Sequence, residues 1–195
     1  MTATLNYRIL VGLIAMLIAS AFFMSRGSQS EETAASNPVC PGSPASVHAS
    51  CEMKVSFPGT QCQTVLEEIT ARLNHENSWM DPHNKGKYSL ISSKSSTDEK
   101  TGNEVNLINA SHMTGNGKYT DLLNLQLTMG HDGSCVLETC SESQVTSILD
   151  FSTNFCNLHN LYCNDNESCN SIHHSLDYME EYENCSQNTV SRCSS

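Results

Sequence analysis

Basic residues and aromatic residues are both scarce in this chain of 195 residues. Lysine and arginine together number 10 against 21 aspartates and glutamates, which gives a formal net charge of −11. Nucleic-acid-binding proteins need a basic footprint, and electrostatic docking on anionic lipid needs basic residues as well. The charge balance therefore argues against both kinds of partner. Aromatic residues make up 6% of the chain, so disulfides are expected to supply stability that the core lacks.

Motifs that hold a cofactor or a metal, or that carry a catalytic serine, are also missing. The chain contains no P-loop, no G-x-G-x-x-G fingerprint, no H-E-x-x-H pair and no G-x-S-x-G elbow. The closest cysteine spacing is C-x₄-C, and no two such pairs follow one another as they do in structural zinc sites. We therefore expect no cofactor and no metal.

The first 26 residues decide the predicted compartment. Arg8 precedes an apolar run that extends, with one interruption, to Met24. A charge followed by an apolar run is typical of a secretory signal peptide, and Ala19-Ser20-Ala21 resembles a cleavage site. The stretch between Arg8 and Arg26 is also just long enough for an uncleaved signal anchor. Both alternatives place the remaining chain outside the cell or in the endomembrane lumen, with membrane contact through the N-terminal segment alone.

The cysteines agree with an exported chain. An even number of cysteines in such a chain is typical of a disulfide framework whose connectivity the sequence leaves open. The ten are Cys40, Cys51, Cys62, Cys135, Cys140, Cys156, Cys163, Cys169, Cys185 and Cys193. The N-x-S/T triplets at Asn109, Asn166 and Asn184 are candidate glycosylation sites.

Composition divides the chain after the leader into three parts. Residues 27–50 are rich in Ser, Ala, Gly and Pro and are typical of a linker or stalk, whose end Cys40 is expected to tie to the domain. Residues 51–165 have the periodic patterns of a folded α+β domain. Residues 166–195 form a cysteine-bearing acidic tail, in which the stretch LDYMEEYE is interpreted as a solvated acidic face.

Alternating apolar residues predict strands. Met53, Val55 and Phe57 share one face of a strand over 52–58, and Leu123, Leu125, Leu127 and Met129 share one face of another. Between them, Thr60 to Gln63 fits a capping box that starts a helix. The patterns predict the order β-α-β-β-β-β-α. They indicate a four- to five-stranded antiparallel meander packed on one helix, with a disulfide-stapled C-terminal helix and tail.

This element order resembles the cystatin-like and START/Bet v 1-like folds, in which a curved sheet grips a helix. The resemblance implies a groove between sheet and helix. The residues expected to line that groove are Phe57, Val65, Ile69, Leu125 and Leu127, which are equally the expected core. Trp79, in the loop SWMDPHNKGKY, is expected to line its entrance. Phe57, Leu125 and Trp79 are the predicted ligand-binding residues.

The stretch from Cys140 to Cys163 predicts one long helix with Ser141 as its N-cap. Cys156 and Cys163 would then share a face about 10.5 Å apart along the axis, too far to bond each other. Within it, NFCNLHNLYC resembles the catalytic helix of secreted phospholipases A2, C-C-x-x-H-D-x-C-Y. The resemblance would make His159 the general base of a hydrolase, but Asn160 replaces the aspartate that binds calcium. His159 also fits a hydrogen-bonded residue of the core.

Two further patterns resemble a secreted, cysteine-rich family of microbial eukaryotes to which no activity is attached. They are DPHNxGxY at 81–88 and CSESQVxSxxDxxTNxCNxxNLYC at 140–163. Three function classes follow from the sequence as a whole. The first is a secreted or membrane-tethered binding domain for a small apolar molecule or a protein partner. The others are an extracellular hydrolase that uses His159 and a structural surface or coat protein.

Overall fold

The computed structural model describes residues 40–167 and 169–194, apart from the side chain of Tyr182. These residues belong to the unit formed by 36–195. The predicted leader and most of the predicted linker lie outside the described residues. Among the described residues, no helix is both long enough and apolar enough to cross a membrane.

Among the described residues, six strands and two helices follow one another in the order β-α-β-β-β-β-α-β, with two short 3₁₀ turns between them and a third after the last strand. The predicted α+β class is confirmed, and the sheet has six strands instead of four or five. The elements are β1 (Ser50–Phe57), α1 (Cys62–Leu73), β2 (Lys87–Thr97), β3 (Glu104–Met113), β4 (Thr120–Met129), β5 (Cys135–Ser143), α2 (Thr153–His159) and β6 (Met179–Cys185).

The sheet is antiparallel throughout, in the spatial order β2-β3-β4-β5-β1-β6. Strand alternation places Met53, Val55 and Phe57 of β1 in the core, as the period of two predicts. Leu123, Leu125 and Leu127 of β4 are buried in the same cluster. Val65, Ile69 and Leu73 of α1 pack against them, so the predicted dry face of the sheet is covered by the predicted helix.

Strand β6 comes from the segment interpreted as a solvated acidic tail. It pairs with β1 and forms one edge of the sheet, with Cys51 directly opposite Cys185. An edge strand has one side open to solvent and tolerates charged side chains, so its glutamates did not reveal a strand. Lys54 on β1 pairs with Glu181 of β6 at 3.1 Å.

The predicted capping box at the start of α1 is wrong. The helix begins at Cys62 with Gln61 as its N-cap, and no side-chain hydrogen bond caps it. The backbone of Thr60 is instead used in a turn: its N–H donates to the carbonyl of Phe57, and its carbonyl accepts from Cys135. The turn therefore joins β1 to the start of β5.

The predicted helix from Ser141 onward is also wrong over its first half. Ser141 lies in β5, where its backbone pairs with Cys51 on one side and Leu123 on the other. Residues 144–152 are irregular, and helix α2 covers only Thr153–His159. The spacing of apolar residues suited a helix, but two flanking strands offered Ser141 a full set of backbone partners, and that pairing extends β5.

All ten cysteines are paired, and five disulfides staple the chain. Cys156 and Cys163 do not bond each other, as expected, and Cys40 ties the end of the linker to β5. The pairs are Cys40–Cys140, Cys51–Cys185, Cys62–Cys135, Cys156–Cys193 and Cys163–Cys169. A framework of this density is typical of extracellular or lumenal proteins.

A buried ion pair joins α1 to the C-terminal region. Arg72 donates to Glu68 at 2.7 Å, one helical turn away, and both side chains are fully buried. Arg72 also donates to the carbonyl oxygens of Asn160 and Cys163, just beyond α2. Glu68 accepts from the backbone N–H groups of residues 172–174. The pair therefore fixes where the C-terminal region lies on α1.

Candidate ligand-binding cleft

A cleft of about 340 Å³ opens at one end of the sheet, and we call it the loop cleft. It lies between the start of β4, the end of β5 and the irregular segment 144–152. Its volume falls in the range of small-molecule sites, about 300–1,000 Å³. The loop cleft is not the groove between sheet and α1 that the sequence predicted.

The rim of the loop cleft is apolar and exposed. Ile148 is 77% exposed, Leu149 66% and Phe151 61%, and Tyr119 and Val145 stand beside them. Single exposed apolar side chains are ordinary, but a contiguous group around a concavity marks a binding surface. Val145, Ile148 and Leu149 belong to the stretch that the sequence predicted to form one long helix. Their apolar side chains line the cleft and do not join the core.

Segment 144–152 is held at many points despite its irregular backbone. The backbone N–H of Ser147 donates to the carbonyl of Val47, and the hydroxyl of Ser147 accepts from the backbone N–H of Ala49. The side-chain oxygen of Gln187 accepts from the backbone N–H groups of Asp150 and Phe151. Phe151 itself adopts a left-handed backbone conformation, with φ of 53°. This conformation is unfavourable for a bulky residue and persists where surrounding contacts over-determine it, often at binding sites.

Two of the residues that line the loop cleft are buried carboxylates, and we call them its floor. Asp121 is 3% exposed and Asp150 is 8% exposed. Asp121 accepts a hydrogen bond from Asn157 at 2.8 Å and is also bonded by Ser143. Asp150 accepts from the backbone N–H groups of Ser152 and Asn154, and so fixes the first turn of α2.

The environment of Asp121 disfavours its charged form. Burial raises the pKa of the Asp121 carboxyl, and the hydrogen bonds from Asn157 and Ser143 offset only part of that rise. The charge of His112 lowers this pKa further, while the nearby carboxylate of Asp150, with a smaller effect, acts in the same direction as burial. A buried carboxylate with neutral hydrogen-bond partners is incompletely compensated, and a cation placed in the cleft would complete it.

A buried polar layer lies behind Asp121. His112, its cross-strand neighbour on β3, binds Asp81 through Nε2 at 3.0 Å, and Asp81 also accepts from Asn160 at 2.7 Å. Burial opposes the charged form of Asp81, but the bonds from His112 and Asn160 outweigh it and lower the pKa of its carboxyl. The layer thus brings together Asp81 of the pattern DPHNxGxY and Asn160 of the pattern at 140–163.

Two atoms of this layer are buried without a hydrogen-bond partner among the described residues. They are Nδ1 of His112 and Oδ1 of Asn157, and both residues adjoin Asp121. Buried polar groups in proteins are nearly always satisfied, so a water molecule, an ion or a ligand group is expected to reach these atoms. His112 had no signal in the sequence, and Asn157 stood there only as one letter of the pattern at 140–163, because neither residue type reveals what surrounds it in the fold.

The predicted ligand-binding residues fall in two places. Phe57 and Leu125 are fully buried in the core, where α1 packs directly on the sheet. Trp79 lines a second concavity of about 480 Å³, which we call the Trp79 groove. Its other walls include Asn77, Ser78, Lys85 and Asn170, all four of which have positive φ. The indole N–H donates to the carbonyl of Cys169, and Trp79 itself is buried.

His159, the one catalytic candidate, is a core residue in this fold. Its side chain is 2% exposed, its ring stacks on Phe155, and its Nδ1 bonds to Glu180 at 3.1 Å. A hydrolytic general base needs a carboxylate partner and access to solvent, and His159 has only the first of these. Asn160, at the calcium position of the phospholipase pattern, donates to Asp81 and to the carbonyl of Cys193.

The remaining predicted site residues can be placed as well. His159, Cys163 and Cys169 offer three close ligand atoms, but the two sulfur atoms are bonded to each other and are not thiolates. The side chains of Asn109, Asn166 and Asn184 are all exposed. Glycosylation at these asparagines stays a prediction that the surface permits.

The fold and the loop cleft together define a disulfide-stapled α+β domain that carries, at the end of its sheet, a small-molecule-sized cleft lined by two buried acids. Comparison with protein-family models, with curated proteins and with solved structures finds no match to this chain.

Proposed function

We propose that the protein is an extracellular or lumenal binding domain, and that the loop cleft holds a small amphiphilic ligand. The observation that carries the proposal is the group of exposed apolar side chains, Ile148, Leu149 and Phe151, fixed around a concavity of about 340 Å³. Exposing such a group to water is unfavourable, so a sequence retains it where a ligand covers it.

The rigidity of the rim supports the proposal. A binding loop that is ordered before the ligand arrives loses little conformational entropy on binding. The disulfide Cys40–Cys140 holds the 40–49 segment against the end of β5, and the carboxylate of Glu142 accepts hydrogen bonds from the backbone N–H of Gly42 and from the ring of His48. That segment in turn holds Ser147. The export signal predicted for residues 1–26 and the five disulfides both indicate an extracellular or lumenal compartment.

A test can be made with three probes that share a phenyl ring and a two-carbon chain but differ in the polar group. They are 2-phenylethylamine, 2-phenylethanol and 3-phenylpropionate. In two-dimensional NMR spectra of the ¹⁵N-labelled protein, at least one probe is expected to shift backbone signals of residues 114–121 and 143–153. The double variant Ile148→Ser, Phe151→Ser should abolish these shifts because the rim would no longer cover the ring.

A matched control is Ile91→Ser, since Ile91 is an exposed isoleucine on β2, away from the loop cleft. This variant should bind as the unaltered protein does. Shifts confined to residues 77–85 and 169–172 would assign binding to the Trp79 groove and reject the loop cleft. The absence of shifts with all three probes would reject the proposed function for ligands of this size.

A further inference from the structure

We propose that the ligand of the loop cleft is an organic cation, with a protonated amine directed at Asp121 and an apolar body covered by the rim. The inference rests on the proposed function and adds the chemical class of the ligand. It also assigns a role to Asp121, a residue in which the sequence showed no site.

The charges of the residues that line the loop cleft favour a cationic ligand. The residues that line the loop cleft include two acids, Asp121 and Asp150, and no lysine, arginine or histidine. An anionic ligand would therefore enter beside two carboxylates without a compensating cation from the lining. Because Asp121 and Asp150 are themselves buried, placing another negative charge beside them is unfavourable. The cleft therefore rejects anions and favours cations.

The hydrogen bonds of Asp121 leave acceptor positions on its carboxylate for an ammonium group. Its carboxylate is bonded by Asn157 and Ser143, both neutral. An ionised carboxylate has about four lone-pair positions, so it retains acceptor capacity after these two bonds. A protonated primary amine brings up to three N–H donors and a full positive charge. Such charge-assisted bonds are about twice as strong as neutral ones, and burial protects them from competition by water.

Polarity decreases from the buried acids of the loop cleft to its exposed apolar rim, and this gradient indicates how the ligand is oriented. Asp121 is 3% exposed at the floor, while Phe151 and Ile148 stand exposed at the mouth. A ligand with one charged end and an apolar body matches that gradient in only one orientation. The rings of Tyr119 and Phe151 add favourable contact with a cationic or aromatic body. The arrangement therefore selects an arylalkyl or alkyl ammonium compound.

Several titratable groups act on Asp121 from the elements around it. His112 on β3 lies opposite it, Asp81 is bonded to His112, and Asp150 lies in the irregular segment just before α2. Asp121 must be ionised to hold an ammonium group. Acidification through the pKa of its carboxyl should therefore weaken binding of an amine. An alcohol, which carries no charge, should bind with little change over the same range.

Isothermal titration calorimetry of the purified, disulfide-bonded protein tests the inference with the same three probes. At neutral pH we expect 2-phenylethylamine to bind about tenfold or more tightly than 2-phenylethanol, and 3-phenylpropionate to bind weakest. Asp121→Asn should weaken binding of the amine by about 30-fold and leave that of the alcohol within about threefold. Asp98→Asn, in the exposed turn between β2 and β3, is the matched control and should leave all three unchanged.

Equal affinity for the amine and the alcohol, or tighter binding of the carboxylate, would overturn the cation assignment while leaving the binding function intact. No binding of any probe would instead reject the proposed function. If Asp121→Asn does not fold, titration of the unaltered protein between about pH 7 and about pH 4 gives the same decision. An amine affinity that does not fall on acidification, relative to that of the alcohol, would overturn the inference.

Discussion

At the scale of the residue, the buried pair of Glu68 and Arg72 has the largest predicted effect on stability. Removing one partner leaves the other charge buried, and Arg72→Met also uncaps the carbonyls of Asn160 and Cys163. We expect this variant to lower the free energy of unfolding by about 3–5 kcal/mol, measured by urea denaturation.

The control for that prediction is Glu67→Ala on the same helix, since the partners of Glu67 are exposed. It should change stability by about 1 kcal/mol or less. A loss for Arg72→Met no larger than the loss for Glu67→Ala would show that the buried pair is not needed to hold the C-terminal region.

His48 gives a second prediction at this scale. Its hydrogen bond to Glu142 raises the pKa of its imidazole, with a smaller contribution from the carbonyl of Ala45. A raised histidine pKa adds stability that is fully present below the unfolded value of about 6.5 and is lost as pH rises through the folded value. The difference in stability between the unaltered protein and His48→Gln should therefore be larger at about pH 5.5 than at about pH 8.

Thermal or urea denaturation at both pH values measures this difference. His131→Gln, in an exposed turn, is the control and should show no such trend. A His48→Gln effect that is the same at both pH values, or larger at the higher one, would contradict the assigned pair.

At the scale of the element, the disulfides of the C-terminal region can be ranked. Cys156–Cys193 closes a sequence separation of 37 residues and Cys163–Cys169 one of 6. Because a longer closed loop removes more entropy from the unfolded chain, the first should stabilise by about 4 kcal/mol and the second by about 2 kcal/mol. Paired cysteine-to-alanine variants, compared by urea denaturation, measure both values. A larger loss for the Cys163–Cys169 pair would contradict the ranking.

The elements also show what the sequence could and could not reveal. Alternation located β1 and β4 because one face of each strand is buried, and the 3.6-residue period located α1. The extent of β5 could not be read, since it depends on β1 and β4 lying on both sides of it. Strand β6 was missed for a related reason: an acidic edge strand is recognisable only by the neighbour with which it pairs.

The candidate site was less predictable than the fold. Ile148 and Leu149 carried a clear apolar signal, but the spacing assigned them to a helix. Asp121 had no signal at all, because a single aspartate at the start of an apolar strand is ordinary. Its importance comes from burial and from Asn157, which is 36 residues distant in sequence. Only the tertiary structure brings the acid and the apolar rim together.

At the scale of the whole molecule, the net charge of −11 should strengthen the binding of a cation at low ionic strength. An acidic protein attracts a positively charged ligand over a distance that salt shortens. Raising the ionic strength from about 0.01 M to about 0.15 M should weaken binding of 2-phenylethylamine by about two- to fivefold. Binding of 2-phenylethanol, measured by calorimetry in the same buffers, should not change. An equal effect on both probes would argue against an electrostatic contribution.

The most direct test of the cation site is a crystal structure of the protein with 2-phenylethylamine. We expect the nitrogen of the ligand within about 2.7–3.2 Å of a carboxylate oxygen of Asp121, with the phenyl ring against Ile148 and Phe151. A ligand in the Trp79 groove, or one bound in the loop cleft with its ring toward Asp121 and its amine in solvent, would contradict this expectation.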